Sequence, residues 1–398
     1  MDKSFWIFRN PKQAVFCIVF LLLVVGCINV FSASYIVAQD MGDSYSFLKK
    51  YIICTLLGFG IIHVVRKIGY RRILQPRLLL LLYFGTAVAL LAVFAFSSVK
   101  GAQRWIYLPG FSVQPSEIAK LVIIMICSSS LGEMLQRGER VSLFHGRSMK
   151  IFLLTLFYFL LIYIEPDLGT GAIVVGLMLG MFMIAGLSRN EIIGMLGLAA
   201  AGAVLLTVVS PYRRERIRVM FDPWLDPMGK GYQIVQAQTA IGSGSWFGTH
   251  WGQGTGKFFY LPESHTDFAF AIFSQENGFL GVLLIFGLFV FLGYIFAHIA
   301  VRARREEGFL LASGVSFLII GQAIANMAMV CGLLPVIGVP LVFISYGGSS
   351  MIISMAAIGL LLSVYDETVE LERRERLAAE APEKRRDNLY VASERRWR

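Results

Sequence analysis

Residues 168–187 read LGTGAIVVGLMLGMFMIAGL, an apolar run without a charged side chain. A helix needs about 20 mostly apolar residues to cross the hydrocarbon core of a membrane. The same pattern recurs along the chain, and we count ten such stretches in its 398 residues. They are residues 13–33, 47–65, 78–97, 116–134, 150–165, 168–187, 191–209, 268–298, 309–332 and 342–364. The sequence therefore predicts an all-α polytopic membrane protein, with ten transmembrane helices within 1–366 and a basic tail at 367–398.

The composition argues against a soluble protein, because 56% of the residues are hydrophobic and only 16% are charged. A soluble core cannot hide that much apolar surface. The first stretch follows basic residues, as in a signal peptide, but nine further stretches favour a retained anchor. The five cysteines lie in or at the ends of apolar stretches without paired spacing. We expect them to be small core residues, neither disulfides nor metal ligands.

The net charge of +10 follows the expected topology. With ten spans and the N-terminus inside, both tails and four connections are cytoplasmic, and they hold about 25 of the 36 Lys and Arg residues. This distribution is the positive-inside rule. We therefore expect cytoplasmic termini and no nucleic-acid partner. The tail from Glu370 mixes basic and acidic residues, which is typical of a solvated helix that frays, and a docking role is the alternative.

Residues 210–267 form one large extracytoplasmic loop between helices 7 and 8 of this topology. A loop that long in a compact membrane protein is usually functional. Residues 234–241 within it have the pattern of a short amphipathic helix. Basic residues stand at 213, 214, 216, 218, 230 and 257. A positive surface beside the bilayer suits an anionic lipid headgroup such as a pyrophosphate.

Ionisable residues near membrane depth are costly unless they face a partner or a wet cavity, and a first group of them leads into the fourth stretch. Glu117 and Lys120 are three residues apart and share one face of a helix. Pro115 and Ser116 also suit a plain helix start, where Glu117 favours the positive end of the helix dipole. Lys120 lies deeper than a cap requires.

Two acidic groups stand at other span ends. Glu165 and Asp167 flank a proline between the fifth and sixth stretches, where they suit a divalent cation or a sugar, or Asp167 caps the next helix. Glu263, His265 and Asp267 precede the eighth stretch, where Asp267 is either functional or a cap.

Residues 332–340 and 345–350 are rich in glycine, proline and serine. Broken helix starts occur in membranes only where they line a cavity or pack on protein, and close helix packing is the alternative for the glycines. The chain has no Walker loop, dinucleotide fingerprint, HExxH or paired-cysteine metal motif. ATP-driven transport and redox chemistry within this chain are not expected.

Five motifs in this order resemble the SEDS family, whose members include FtsW, RodA and SpoVE. They are GAQRW at 101–105, QPSE at 114–117, EPDLG at 165–169, LPESHTDF at 261–268, and GLLP at 332–335 with SYGGSS at 345–350. KFFYLPE at 257–263 and FDPW at 221–224 are more similar to the septal branch, FtsW, than to the elongation branch, RodA. QENG at 275–278 departs from the Glu-Glu-Leu-Gly or Glu-Glu-Phe-Gly common there.

The resemblance implies an inverting glycosyltransferase that polymerises lipid II into β-1,4 glycan strands and releases undecaprenyl pyrophosphate. It implies a bacterial inner-membrane protein at the division septum, with lipid II, a class B penicillin-binding protein, other division or elongation proteins and membrane lipids as partners. The family's essential aspartate corresponds to Asp267, the expected catalytic base. The other motif residues are candidate substrate-binding groups: Arg104, Trp105, Gln114, Ser116, Glu117, Lys120, Glu165, Asp167, Glu263, His265, Ser345, Gly347, Gly348, Ser349 and Ser350.

No organic cofactor is expected. A divalent cation, Mg²⁺ or Mn²⁺, is compatible with the acidic residues, although the sequence does not identify its ligands. Lys120, Arg104 and arginines of the large loop, or the cation, are expected to hold the charge of the pyrophosphate. Three other functions remain open. They are a RodA-type elongation polymerase, a lipid II flippase, which depends on charges deep in the helices, and a scaffold, which tolerates loss of Asp267.

Overall fold

The computed structural model describes residues 10–96, 103–108, 111–258 and 260–394. Thirteen α-helices and one β-hairpin are assigned within these residues. The helices are α1 (Pro11–Asp40), α2 (Ser46–Ile68), α3 (Tyr70–Ile73), α4 (Pro76–Ala92), α5 (Pro115–Gln136), α6 (Gly146–Ile164), α7 (Leu168–Ile184), α8 (Arg189–Val209), α9 (Pro211–Phe221), α10 (Tyr232–Ser243), α11 (Ala269–Arg302), α12 (Glu306–Val330) and α13 (Gly348–Glu394). The hairpin strands are β1 (Ile106–Leu108) and β2 (Phe111–Val113), paired antiparallel.

Nine helices of the described residues are long and apolar enough to cross a membrane. The sequence predicted ten, and the difference is α7, which keeps only 17 residues of the quoted 168–187 run. Its helix ends at Ile184 because the chain turns at Gly186, which has a φ of +86°. The coarse prediction of an all-α polytopic membrane protein is confirmed.

The centre of the bundle is formed by α5 and α13, since 72% of the residues in the apolar spanning stretch of each helix are buried. Around them, α5 packs against α12, α7 and α4, while α13 packs against α2. By contrast, only 6% of the residues in the apolar spanning stretch of α8 are buried. Its exposed leucine and valine side chains require an apolar solvent, which is lipid.

Several element boundaries of the structure differ from the limits of the predicted stretches. Residues 342–347 are not helical, because α13 begins only at Gly348. The eighth stretch is broken at Gly278, whose φ of 64° and ψ of −169° lie outside helical geometry. The boundary at 366/367 falls inside α13, which runs without a break from the apolar span into the tail.

The large loop contains more structure than the sequence suggested. The short amphipathic helix predicted at 234–241 is confirmed as α10. A further helix, α9, was not predicted. The cysteines are free, as expected, but Cys17 and Cys331 are exposed while Cys54 and Cys127 are buried. Because the outer surface of a membrane-spanning bundle is itself apolar, an apolar pattern did not distinguish core from lipid-facing positions.

Candidate active site

The β-hairpin and the start of α5 place the first predicted group beside the start of α13. Pro115 stands at the first position of α5, where its fixed φ suits a helix and its missing N–H costs nothing. The backbone N–H of Gln114 donates to Ser349 Oγ at 3.0 Å. Ser349 in turn donates to the carbonyl of Ser112 in β2, also at 3.0 Å. The QPSE and SYGGSS motifs, more than 200 residues apart in sequence, therefore meet.

Glu117 and Lys120 lie on one helix face, as their spacing predicted, and there they form an ion pair. Lys120 Nζ lies 2.7 Å from Glu117 Oε1 and 2.9 Å from Gln322 Oε1 on α12. The Lys120 side chain is fully buried. Gln322 also donates to Ser350 Oγ at 3.1 Å. Lys120 is thus enclosed and neutralised by Glu117, which differs from its predicted role as a cation facing the pyrophosphate.

Asp167 organises the turn between α6 and α7. It caps α7 by accepting the N–H of Thr170, so the capping interpretation is confirmed. Its carboxylate also accepts from Gln114 Nε2 at 3.1 Å and lies 3.9 Å from Arg104 Nη1. Arg104 donates to the backbone carbonyls of Glu165 and Pro166 as well. The buried Asp167 carboxylate therefore joins the GAQRW, QPSE and EPDLG motifs. Gly101 and Ala102, the first two residues of GAQRW, lie outside the described residues.

Glu165 has a different environment from Asp167. Its residue is completely buried, and neither carboxylate oxygen has a hydrogen-bond partner among the described residues. Burial raises the pKa of Glu165 to about 8, and the nearby Asp167 charge contributes to this rise, against the opposing effect of Arg104. A bound proton or a bound cation would therefore stabilise the buried Glu165 carboxyl group.

Asp267 lies at the entrance to α11, in a half-buried position. The N-cap position of α11 is Phe268, so Asp267 lies one residue before the position that the capping alternative requires. The backbone carbonyl of Asp267 accepts from Asn326 of α12 at 2.8 Å. A Cβ on Gly338 would lie 3.5 Å from Asp267 Oδ2. The carboxylate thus faces the glycine-rich segment between α12 and α13.

This segment, residues 331–347, connects the acidic groups. Ile337 packs so closely on Gly169 that a Cβ there would lie 2.2 Å from the Ile337 carbonyl oxygen. The next residue, Gly338, faces Asp267. The carbonyls of Val339 and Pro340 accept from Asn326 and Gln322, respectively. The segment is non-helical because its polar backbone groups bond to side chains of α12, as irregular backbone inside a membrane protein requires.

Other predicted residues lie at the edge of this arrangement. Glu263 accepts from Thr266, three residues along the loop. His265 packs its ring 4.5 Å from that of Phe47, and its carbonyl accepts from the Tyr346 N–H. The hydroxyl of Ser345 accepts the backbone N–H of Leu341 within the glycine-rich segment. Trp105 is half-buried beside Arg104.

The remaining predicted substrate-binding residues, Ser116, Gly347 and Gly348, lie among packed side chains. Ser116 is buried, and its hydroxyl has no hydrogen-bond partner within the described part of the chain. A Cβ on Gly347 would contact Pro340, and one on Gly348 would contact Cys54 and Phe111. The contact at Gly347 is slightly tight, whereas a Cβ on Gly348 would make ordinary van der Waals contacts, so packing alone does not require a glycine at 348.

The predicted basic surface of the loop is smaller than its sequence suggested. Lys257 is buried and pairs with Glu276 at 2.9 Å. Arg213 bonds to Tyr163, and Lys230 pairs with Glu215. Exposed positive charge remains at Arg214, Arg216 and Arg218, and Arg216 donates to the Val336 carbonyl at 2.7 Å.

Gln322 and Asn326 were missed at the sequence level. Both are buried, and they lie four residues apart on the same face of α12. Polar side chains inside an apolar span are costly and mark functional or packing sites, so this spacing was a usable signal.

The chain matches the family described as "Cell cycle protein", FtsW/RodA/SpoVE, over residues 12–370. It is 36% identical over 348 residues to a protein named Probable peptidoglycan glycosyltransferase FtsW from Geobacter sp. strain M18, covering 86% of this chain and 94% of the relative. It is also 36% identical over 359 residues to Stage V sporulation protein E of Bacillus subtilis strain 168, covering 89% of this chain and 97% of that protein.

Solved structures agree with this relationship. A chain of a peptidoglycan synthase complex that coordinates polymerization and crosslinking superposes with a TM-score of 0.74 and 26% identity, covering 91% of this chain and 99% of that chain. A mutant form of the rod shape determining protein RodA of Thermus thermophilus shares the fold with a TM-score of 0.66 and 24% identity, covering 91% of this chain and 99% of that chain. The chain belongs to the FtsW/RodA/SpoVE family of cell cycle proteins.

Proposed function

We propose that the chain is a peptidoglycan glycosyltransferase that polymerises lipid II into β-1,4 glycan strands for septal wall synthesis. Family membership and the name of the Geobacter relative support this activity. An elongation role of the RodA type is the alternative within the family.

One observation carries the proposal: residues 337 and 338 join two acidic motifs that are about 100 residues apart in sequence. Ile337 packs on Gly169 of the EPDLG turn, and Gly338 faces Asp267. One segment of the chain therefore touches both Asp267 and the EPDLG turn, where Asp167 also binds Gln114 and lies near Arg104, and polar groups so placed suit a polar headgroup on a lipid tail.

The donor sugar is α-linked to pyrophosphate and the product is β-linked, so one displacement inverts the anomeric carbon. Asp267 is assigned as the general base that takes the proton from the acceptor 4-hydroxyl. Its half-buried position leaves it accessible, unlike Glu117 or Asp167. The bond from the anomeric carbon to the pyrophosphate oxygen breaks as the new glycosidic bond forms.

The departing pyrophosphate needs positive charge. Arg104 is assigned to this role because its side chain is 30% exposed, whereas Lys120 is enclosed. Mg²⁺ or Mn²⁺ is usually held by one or two carboxylates together with substrate phosphates. Glu165 is the carboxylate that fits this requirement, since its two oxygens have no partner within the described residues, whereas those of Asp167 are already engaged by Thr170, Gln114 and Arg104. When bound there, the cation would neutralise charge on the leaving group.

The proposed location is the bacterial inner membrane at the division septum, with ten spans and both termini cytoplasmic. Lys12 at the start of α1 lies 3.5 Å from Asp366 of α13, so these two ends share one side of the bundle. α7 completes the tenth span despite its length. Labelling of cysteines placed at Met228 and Arg304 should proceed from opposite sides of the membrane. A class B penicillin-binding protein is the proposed partner, by analogy with the solved synthase complex.

Polymerisation of labelled lipid II by the purified full chain, its penicillin-binding protein and Mg²⁺ tests the proposal. Asp267→Asn should reduce strand formation by about 100- to 10,000-fold, the usual contribution of a general base. Asp43→Asn, at an exposed aspartate outside the site, is the matched control. Lipid II movement between leaflets without strands would instead indicate a flippase. Full activity of Asp267→Asn would favour a scaffold or another base.

A further inference from the structure

A second buried ion pair lies away from the site just described. Lys257 Nζ of the large loop is 2.9 Å from Glu276 Oε1 of α11, and both side chains are almost completely buried. Ser32 of α1 completes a triad: its hydroxyl lies 2.7 and 2.8 Å from the two Glu276 carboxylate oxygens and 3.0 Å from Lys257 Nζ. The triad joins three distant parts of the chain.

The loop is also fixed to α11 next to this triad. Gln275 donates to Ser243 and Thr255 and accepts from the Gly256 N–H. The helix break at Gly278 leaves the N–H groups of residues 279 and 280 to be satisfied by loop carbonyls at 245 and 246. The first part of α11, up to Glu276, is therefore enclosed by loop residues 243–257.

Helix α1 contacts both ends of this first part of α11. Asn29 donates to the carbonyl of Ala269 at 3.1 Å, two residues after Asp267. Ser32, about one helical turn further along α1, bonds to Glu276. Residues 269–276 are all buried, so they have little room to move independently. One short, packed helix therefore connects Glu276 to Asp267.

Burying an ion pair gives little net stability, because desolvation offsets the attraction, and such pairs are better attested as devices that specify one arrangement. We propose that Lys257 and Glu276 are positioning residues that, through Ser32, hold the first part of α11 against α1 and so fix the place of the Asp267 carboxylate. This inference rests on the proposed glycosyltransferase function. Neither residue contacts the substrate in this role.

The test compares Glu276→Gln and Lys257→Met with the double variant that combines them, which leaves no unpaired charge in the triad. Glu215→Gln breaks an exposed Lys–Glu pair in the same loop and is the matched control. Lipid II polymerisation is measured with the partner present, per folded molecule. We expect the double variant to fold and to have a kcat about 10- to 100-fold lower with unchanged KM, because about 1 Å of misplacement costs up to about 100-fold.

A second measurement does not depend on activity. Spin labels at the exposed positions Met41 and Phe258, in a chain whose native cysteines are replaced by alanine, report the distance between the end of α1 and the loop. We expect one narrow distance in the parent chain and a broadened one in the double variant. Wild-type kcat, or an unchanged narrow distance, in the double variant would overturn the proposal. If the parent chain makes no strands, the proposed function fails, while the distance measurement still decides whether the triad holds the loop.

Discussion

The structure predicts that the small change Gly169→Ala alters the surroundings of the distant residue Asp267. Gly169 lies in the first turn of α7, and the added Cβ would be 2.2 Å from the carbonyl oxygen of Ile337. Since real Cβ atoms essentially never approach closer than 3.0 Å, the carbonyl must retreat by about 0.8 Å or more. Gly338, the next residue, faces the Asp267 carboxylate and must move as well.

The expected consequence is a loss of rate together with a loss of stability of about 1–3 kcal/mol, because the added Cβ meets backbone and not the end of a flexible side chain. A displacement of about 1 Å in a catalytic group reduces a rate by up to about 100-fold, so kcat for strand formation should fall by about 10- to 100-fold. Alanine has a higher helix propensity than glycine by about 1 kcal/mol, so the helix itself should not be weakened.

The assay is polymerisation of labelled lipid II, with folding checked by size-exclusion profile and thermal denaturation in detergent. Gly176→Ala in the same helix is the control, because a Cβ there meets nothing within 4 Å among the described residues. Its kcat should equal that of the parent chain. A Gly169→Ala variant with parental kcat would show that the 337–338 segment does not set the position of Asp267.

Two further variants test the buried charges. Lys120→Met should destabilise the protein by about 3–5 kcal/mol, because Glu117 remains buried without its cation, and the added change Glu117→Gln should recover most of this loss in thermal denaturation. A parental melting temperature for the single variant would contradict this. Glu165→Gln tests the pKa of about 8, raised from an ordinary value of 4.5. The folded state then retains a proton that the unfolded state releases, so stability should fall as pH rises from about 4.5 to 8 and level off above that. The Glu165→Gln variant should not show this fall, so at pH 8 its free energy of unfolding should exceed that of the parent chain by at most about 5 kcal/mol, at about 1.4 kcal/mol per pH unit. If the melting temperatures of variant and parent change with pH in parallel, the raised pKa of Glu165 is refuted.

Local sequence patterns were sufficient where the partners are close in the chain. The spacing of Glu117 and Lys120 predicted that they share a helix face, and the structure shows that they form an ion pair there. The position of Asp167 before α7 predicted its cap. Asp267, by contrast, lies one residue before the N-cap position of α11.

Long-range contacts were not visible in the sequence. Lys257 was predicted to add positive charge to the loop surface, but Glu276 and Ser32 enclose it. Lys120 was predicted to face pyrophosphate, but Gln322 closes over it from α12. Both differences arise because the exposure of a charge depends on which distant segments pack beside it.

By itself, the sequence determined that lipid surrounds the protein and that its fold is helical. Apolar runs of about 20 residues are long enough to cross a membrane, and a single chain segment that crosses lipid satisfies its backbone hydrogen bonds as a helix. Its ordered motifs also indicated the family. Only the tertiary structure decided that residues 337 and 338 bring Gly169 and Asp267 to one place, and that Lys257 is internal. The physical reason is that hydropathy depends on each residue's own chemistry, whereas a site depends on contacts between residues far apart in the chain.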